Sequence, residues 1–288
     1  MDTPRTPLFG LFPSPAAADH AATVRLARLA DDLGLDLIGI QDHPYQRRFL
    51  DTFALMADLL ARTERIRIFP DVANLPLRGA AMIAKAAASL DVMSGGRFEL
   101  GLGAGAMWDA VAAMGGPRRE PGEAVDALVE AITVIRRLWS GDRGLRVKGG
   151  HYRLDGVHGG PVPAHAVGIW LGAIGPRMLR VTGRLADGWI PSSPYVPPDE
   201  LLDRHAVIDD AAHEAGRAPS DILRLYNING RITEGPTEAL LVGDRDHWVE
   251  QLRELHATQR VDAFVFWPDG GDHEGQVRAF AEVAAELR

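Results

Sequence analysis

The sequence predicts an α/β fold, a parallel (β/α)8 TIM barrel. Three observations carry that expectation: short strands alternate strictly with helical stretches, there are eight of each, and no antiparallel meander interrupts them. An open doubly wound sheet usually uses fewer strands in 288 residues. No compositional break or long linker divides the chain, so one domain over 1–288 is expected.

Leu8 to Phe12 reads as the first strand, followed by a helix that Asp19 can cap and Gly34 can end, with Val24, Leu26, Leu29, Ala30 and Leu33 on its apolar positions. A strand at 37–41 leads to a helix at 52–62. A strand at 66–72, its start rich in isoleucine, leads to one at 80–93. The glycine-rich strand at 98–103 precedes a long helix from Gly122 to Trp139. Strands at 169–173, 188–190, 223–229 and 263–266 then pair with helices at 176–186, 199–215, 244–256 and 275–287. Between them, Ser140 to Ala166 is rich in Gly, Pro and His without periodicity, which predicts a lid-like excursion over the barrel mouth.

Composition narrows the function. A net charge of −8 disfavours nucleic acid or an anionic membrane as a partner for the whole surface. No apolar run approaches the roughly 20 residues of a membrane span, and the N-terminus lacks the basic and apolar segments of a secretory signal, so a cytoplasmic protein is expected. The absence of cysteine excludes thiol nucleophiles, disulfides and thiolate metal sites. His151, His158 and His165 recur every seven residues, but intervening Gly and Pro deny them one helical face, and no metal site is expected. Nucleophile-elbow, P-loop and H-E-x-x-H patterns are missing.

In a parallel barrel the catalytic groups stand at the C-terminal strand ends. Asp42 and His43 directly follow the second strand, where an imidazole can exchange a proton near neutral pH; at an arbitrary site the pair would more often be a loop cap and a packed ring. Asn74 ends the third strand and offers a donor and an acceptor to a planar heterocycle, or serves as an ordinary turn residue. Gly101, Gly103 and Gly105 let a flat ligand approach the backbone, or accommodate tight barrel packing; their spacing is not the dinucleotide G-x-G-x-x-G. In Trp170-Leu171-Gly172-Ala173-Ile174-Gly175-Pro176-Arg177, a strand runs into a Gly-Pro turn opening a helix, which suits an anion at the helix N-terminus with Arg177 beside it.

Taken in order, QDHPYQ, FPDVANLPLR, SGGRFELGLGAG and GAIGPRMLRVTGRLADGWI resemble the luciferase-like flavin- and deazaflavin-dependent oxidoreductases, closely from Leu8 to about Ser193 and loosely beyond. The resemblance implies a luciferase-like (β/α)8 barrel that binds coenzyme F420, the favoured cofactor, or FMN across its strand ends, acts on a small-molecule substrate and pairs into a homodimer. It implies that His43 stands beside the reactive ring, with Asp42 at the same strand end and Asp71, Val72 and Asn74 bordering the ring around a cis peptide near Asp71-Val72. Ala173, Ile174, Gly175 and Arg177 match the phosphate-binding turn, Gly105 and Asp109 a cofactor-contacting loop, and Trp267 a wall of the pocket. Ala106 stands where sugar-phosphate-oxidising relatives carry a catalytic glutamate, so their substrate does not transfer. Redox catalysis by hydride transfer or oxygenation is the leading expectation; the alternatives are a non-catalytic flavin carrier and a metal-dependent hydrolase.

Overall fold

A computed structural model describes residues 5–235, 237 and 239–288. Strand β1 (Leu8–Leu11) is followed by α1 (His20–Asp32), β2 (Leu37–Ile40), α2 (Thr52–Ala61), β3 (Arg67–Pro70), β4 (Ala73–Asn74), α3 (Leu75–Arg78) and α4 (Ala80–Ser94). Next come β5 (Leu100–Gly103), α5 (Trp108–Ala113), α6 (Pro121–Trp139), β6 (Leu145–Lys148), β7 (Arg153–Val157), β8 (Ile169–Leu171) and α7 (Pro176–Leu185). The chain ends with β9 (Gly188–Trp189), α8 (Leu201–Glu214), β10 (Leu223–Ile232), β11 (Val242–Gly243), α9 (Arg245–Gln259), β12 (Ala263–Pro268) and α10 (His273–Leu287).

The strands form one parallel sheet in the order β3-β2-β1-β12-β10-β9-β8-β5-β4. Because β4 continues from β3, the sheet closes on itself: Ile68 N–H donates to Arg97 O at 2.9 Å and Glu99 N–H to Ile68 O at 3.1 Å. Successive side chains on a strand face opposite ways. A small apolar cluster holding Phe12, Leu37, Phe69, Trp170, Leu225 and Val265 therefore separates from the large cluster beneath the helices, which takes their neighbours Ile38, Ile68, Leu171, Phe264 and Phe266.

The expected (β/α)8 barrel is observed; besides the unpredicted short helices α3 and α5, four departures stand out. Asp19 gives α1 no side-chain cap; its carbonyl instead accepts from Thr23 Oγ1 at 3.2 Å. The fourth strand begins at Leu100 rather than residue 98, and Phe98 meets the third strand only through an isolated bridge to Ile68. A short β11 pairs in parallel with the extension of β10.

The largest departure is the segment from Ser140 to Ala166, which forms an antiparallel hairpin of β6 and β7 away from the mouth. It leaves the C-terminus of α6 and returns to the N-terminal end of β8, connections that a βα barrel places at the face opposite its active site. Its anchors lie there and along the outer flank of α6. Glu130 accepts from the N–H groups of Gly150, His151 and Tyr152 at 2.8, 2.8 and 3.0 Å. Buried Asp91 accepts from the Ala164 N–H at 2.6 Å and contacts His165 Nδ1 at 2.7 Å. The lid expectation is corrected on this ground: the hairpin braces the base and flank of the barrel.

Candidate active site at the C-terminal strand ends

His43 stands in the loop after β2, half-buried, with Nδ1 2.7 Å from the Tyr45 hydroxyl. Nε2 has no partner among the described side chains. Burial pushes the imidazole below its ordinary 6.5, against the opposing charge of Asp42, so it is neutral at pH 7. The same desolvation, with Asp42 adding to it, raises the Tyr45 hydroxyl. Tyr45 escaped the sequence reading because a tyrosine two residues from a histidine has no distinctive spacing.

Asp42 does not orient His43. It is 3% exposed and fully engaged: Arg78 Nε donates to Oδ2 at 2.7 Å, Arg78 Nη2 to Oδ1 at 2.8 Å, and the Asn74 N–H to Oδ2 at 2.8 Å. Arg78, which also reaches Asp51 Oδ2 at 2.7 Å and lies over the Phe53 ring, thus fastens α3 to the ends of β2 and β4. Asn74 Oδ1 caps α3 by accepting from the Leu77 N–H at 3.2 Å, so the turn-residue reading holds for its oxygen, while its Nδ2 has no hydrogen-bond partner among the described residues.

Between β3 and β4 the Asp71–Val72 peptide is cis, as expected. The Val72 side chain projects at the glycines of β5 and β8: a Cβ on Gly103 would lie 2.8 Å from Val72 Cγ2, one on Gly172 3.2 Å from it, and one on Gly101 2.1 Å from Pro70 O. Here tight barrel packing, rather than open space for a ligand, explains Gly101 and Gly103. Gly105 differs; at φ +116 with Pro76 and Trp108 within 2.7 Å of any Cβ, it lets the chain turn sharply into the loop before α5.

Asp71 Oδ2 is enclosed without a partner, as is Oδ1 of Asn227 on β10. The Asn227 amide lies close enough to the Asp71 carboxyl to act on its titration and donates from Nδ2 to Ser192 Oγ at 3.0 Å. Burial lifts the Asp71 carboxyl to about 7, with the nearby Asn227 amide opposing. Asn229 continues the rim, donating from Nδ2 to Trp267 O at 3.1 Å. Trp267 is partly exposed, its ring tilted against Phe12 at 5.4 Å, and together they border a 140 Å³ cavity beside Gln41. A larger cavity, 860 Å³, lies at the opposite end among Arg5, Arg224 and Arg260, between the C-terminal ends of α8 and α9.

At the Gly-Pro turn, Gly175 precedes α7 and Pro176 occupies its first turn, as the sequence predicts. Ala173 is buried and accepts from Trp189 Nε1 at 2.8 Å, while Ile174 is half-exposed and nothing lies near Gly175 where a Cβ would be. Arg177 leans onto α6, donating to Gly122 O at 3.0 Å and Asp126 Oδ1 at 2.5 Å. Asp109 is not drawn into the mouth: its side chain is 94% exposed and paired with Arg118. No cluster of three metal-ligating side chains occurs among the described residues.

The groups at this mouth suit a flat ring with polar edges. An aromatic wall at Trp267, unpartnered polar atoms on Asp71 and Asn227, and the N-terminus of α7 stand around the mouth at the ends of β12, β3, β10 and β8.

A family model described as luciferase-like monooxygenase matches residues 8–248. The F420-dependent glucose-6-phosphate dehydrogenase of Intrasporangium calvum is 30% identical over 92% of this chain and 85% of its own. The enzyme of that name from Nocardia farcinica is 34% identical over 75% of this chain and 66% of its own. Among solved structures, an F420-dependent secondary alcohol dehydrogenase in complex with an F420-acetone adduct gives a TM-score of 0.88 at 20% identity, covering 98% of this chain and 99% of that one. The oxygenating constituent of 3,6-diketocamphane monooxygenase from Pseudomonas putida, in complex with FMN, gives 0.76 at 19% identity, covering 98% and 96%. At such identities the solved structures establish a shared fold.

Proposed function

The chain belongs to the luciferase-like monooxygenase family and is an oxidoreductase of the flavin- or F420-dependent kind, and on that premise we propose that it binds coenzyme F420 across its strand ends and oxidises or reduces a small organic substrate. The observation that carries this reading is the neutral His43, held at Nδ1 by Tyr45 with Nε2 unpartnered. Bound F420 supplies hydride transfer; FMN would add the activation of dioxygen.

The protein's own groups do the rest. His43 holds or moves a proton at Nε2, Trp267 walls the ring, and Asp71 and Asn74 offer hydrogen bonds beneath it. The N-terminus of α7, with Ile174, Gly175 and Arg177, takes the cofactor phosphate. Asp42 acts indirectly, by fixing Asn74 and α3. Oxygenation with FMN is the second reading, supported by the FMN-bound camphane monooxygenase of the same fold.

The 288 residues act as one domain on this reading, in the cytoplasm, and among the described residues no helix is long and apolar enough to cross a membrane. A homodimer is supported by Met82, Val92 and Met93, exposed by 66%, 47% and 75% along α4.

Titrating the purified protein with F420 and FMN by absorbance and fluorescence separates the two cofactors. His43→Ala is expected to lower kcat about 100-fold while leaving cofactor affinity within about threefold. Undiminished turnover by that variant would remove His43 from the chemistry.

A further inference from the structure

The mouth of the barrel contains an acidic group to which the redox reading gives a hydrogen bond but no protonation state. Asp71 sits where β3 ends, its N–H donating to Ile40 O of β2 at 2.7 Å. Its carboxyl hangs over Gly39, where a Cβ would fall 3.0 Å from Oδ2, so that glycine makes room for the acid. The Asn227 amide lies near the carboxyl and is itself tied to Ser192.

Two enclosed atoms in this row have no partner, Asp71 Oδ2 and Asn227 Oδ1. Both are acceptors while Asp71 is ionised, and an enclosed carboxylate oxygen without a donor is costly. A proton on Oδ2 removes the buried charge and with it the larger part of that cost. We infer that Asp71 is the proton-carrying floor of the cofactor site: when a flat ring covers the mouth, its carboxyl takes up one proton from solvent and holds it on the enclosed Oδ2 beneath the ring. This rests on the reading of the mouth as a cofactor site.

The surroundings leave Asp71 to set its own charge. From β2 and its loop come Asp42, paired with Arg78, and His43, neutral above its lowered pKa. From β10 and the segment after β9 come Asn227 and Ser192, which do not titrate. No charged side chain offsets the burial that already lifts the carboxyl to about 7. Asp71 nonetheless keeps some exposed surface, which a ring would cover. Covering it withdraws the remaining hydration of the charged form, and binding then favours the protonated acid.

The test is proton counting. Calorimetric titration with F420, and separately with FMN, in two buffers of different ionisation enthalpy gives the protons taken up on binding; Asp71→Asn measured alongside subtracts the cofactor's own ionisation. Near pH 7.5 the wild type is expected to take up as much as about one proton more than the variant. Its affinity should fall with pH by up to about tenfold per unit, a slope the variant loses. Equal proton counts with binding heat intact in both would overturn the inference and leave the cofactor reading standing; no heat with either cofactor on the wild type would overturn both. Infrared spectra of the wild type alone, with isotopically labelled aspartate, cover the case of a variant that does not fold. A protonated carboxyl band titrating near neutrality is expected, and complete ionisation by about pH 5 would sink the idea.

Discussion

At His43 the decisive neighbour is Tyr45, not the adjacent aspartate. The phenol at 2.7 Å from Nδ1 settles which ring nitrogen is available to the mouth, and burial keeps the ring neutral. Tyr45→Phe should therefore lower kcat about tenfold and change the acid limb of the pH profile, with little change in cofactor affinity; 15N shifts of the imidazole would report the altered tautomer. That acid limb should lie below pH 6.5, since a site needing neutral His43 loses activity as pH falls through a lowered pKa. Asp42 matters in another way. Arg78→Met strands a carboxylate whose side chain is 1% exposed, and the expected cost is about 3 kcal/mol of stability, read as a lower denaturation midpoint with an unchanged denaturant slope. Asp42-His43 was legible in the sequence as a marked position. The division of labour between its two members was not, because Arg78 and Tyr45 enter only through side-chain directions.

Among the elements, the glycine-rich strand β5 is best understood from the residue it faces. Val72 occupies the space that side chains on Gly103 and Gly172 would fill, and Pro70 O the space at Gly101. Gly103→Ala should cost about 1–3 kcal/mol through overpacking, and Val72→Ala in the same chain should recover part of it, a coupling that a double-mutant cycle measures by denaturant unfolding. Additive effects would show that Gly103 answers to something other than Val72. The hairpin of β6 and β7 teaches a related lesson. Its Gly, Pro and His content marked a connection of unusual length. Its side of the barrel followed from the direction of α6 and from Glu130 and Asp91, contacts between residues far apart in the chain.

On the scale of the whole molecule, pH reaches stability through Asp71. Burial lifts its folded-state carboxyl to about 7 against an ordinary 3.8, so the unfolded chain gives up its proton first, and stability present at low pH is lost as pH rises through about 7. The thermal midpoint of the wild type should fall relative to Asp71→Asn between about pH 5 and pH 8; parallel profiles would mean that Asp71 is ionised in the folded state. The order of strands and helices, the barrel closure and the strand ends that face the mouth were determined by the sequence alone, because apolar periodicity and chain order are local and a parallel sheet of eight strands has few ways to close. The Gly175-Pro176 helix start was equally local and appears where the sequence places it. Only the tertiary structure decided that Asp42 belongs to Arg78, that Asp109 stays in solvent, that Arg177 leans onto Asp126 and that Asp71 is enclosed with Asn227. Each of these depends on a partner 9 to 156 positions away and on how deeply the pair is withdrawn from water, and neither distance in space nor burial is written in the spacing of residues.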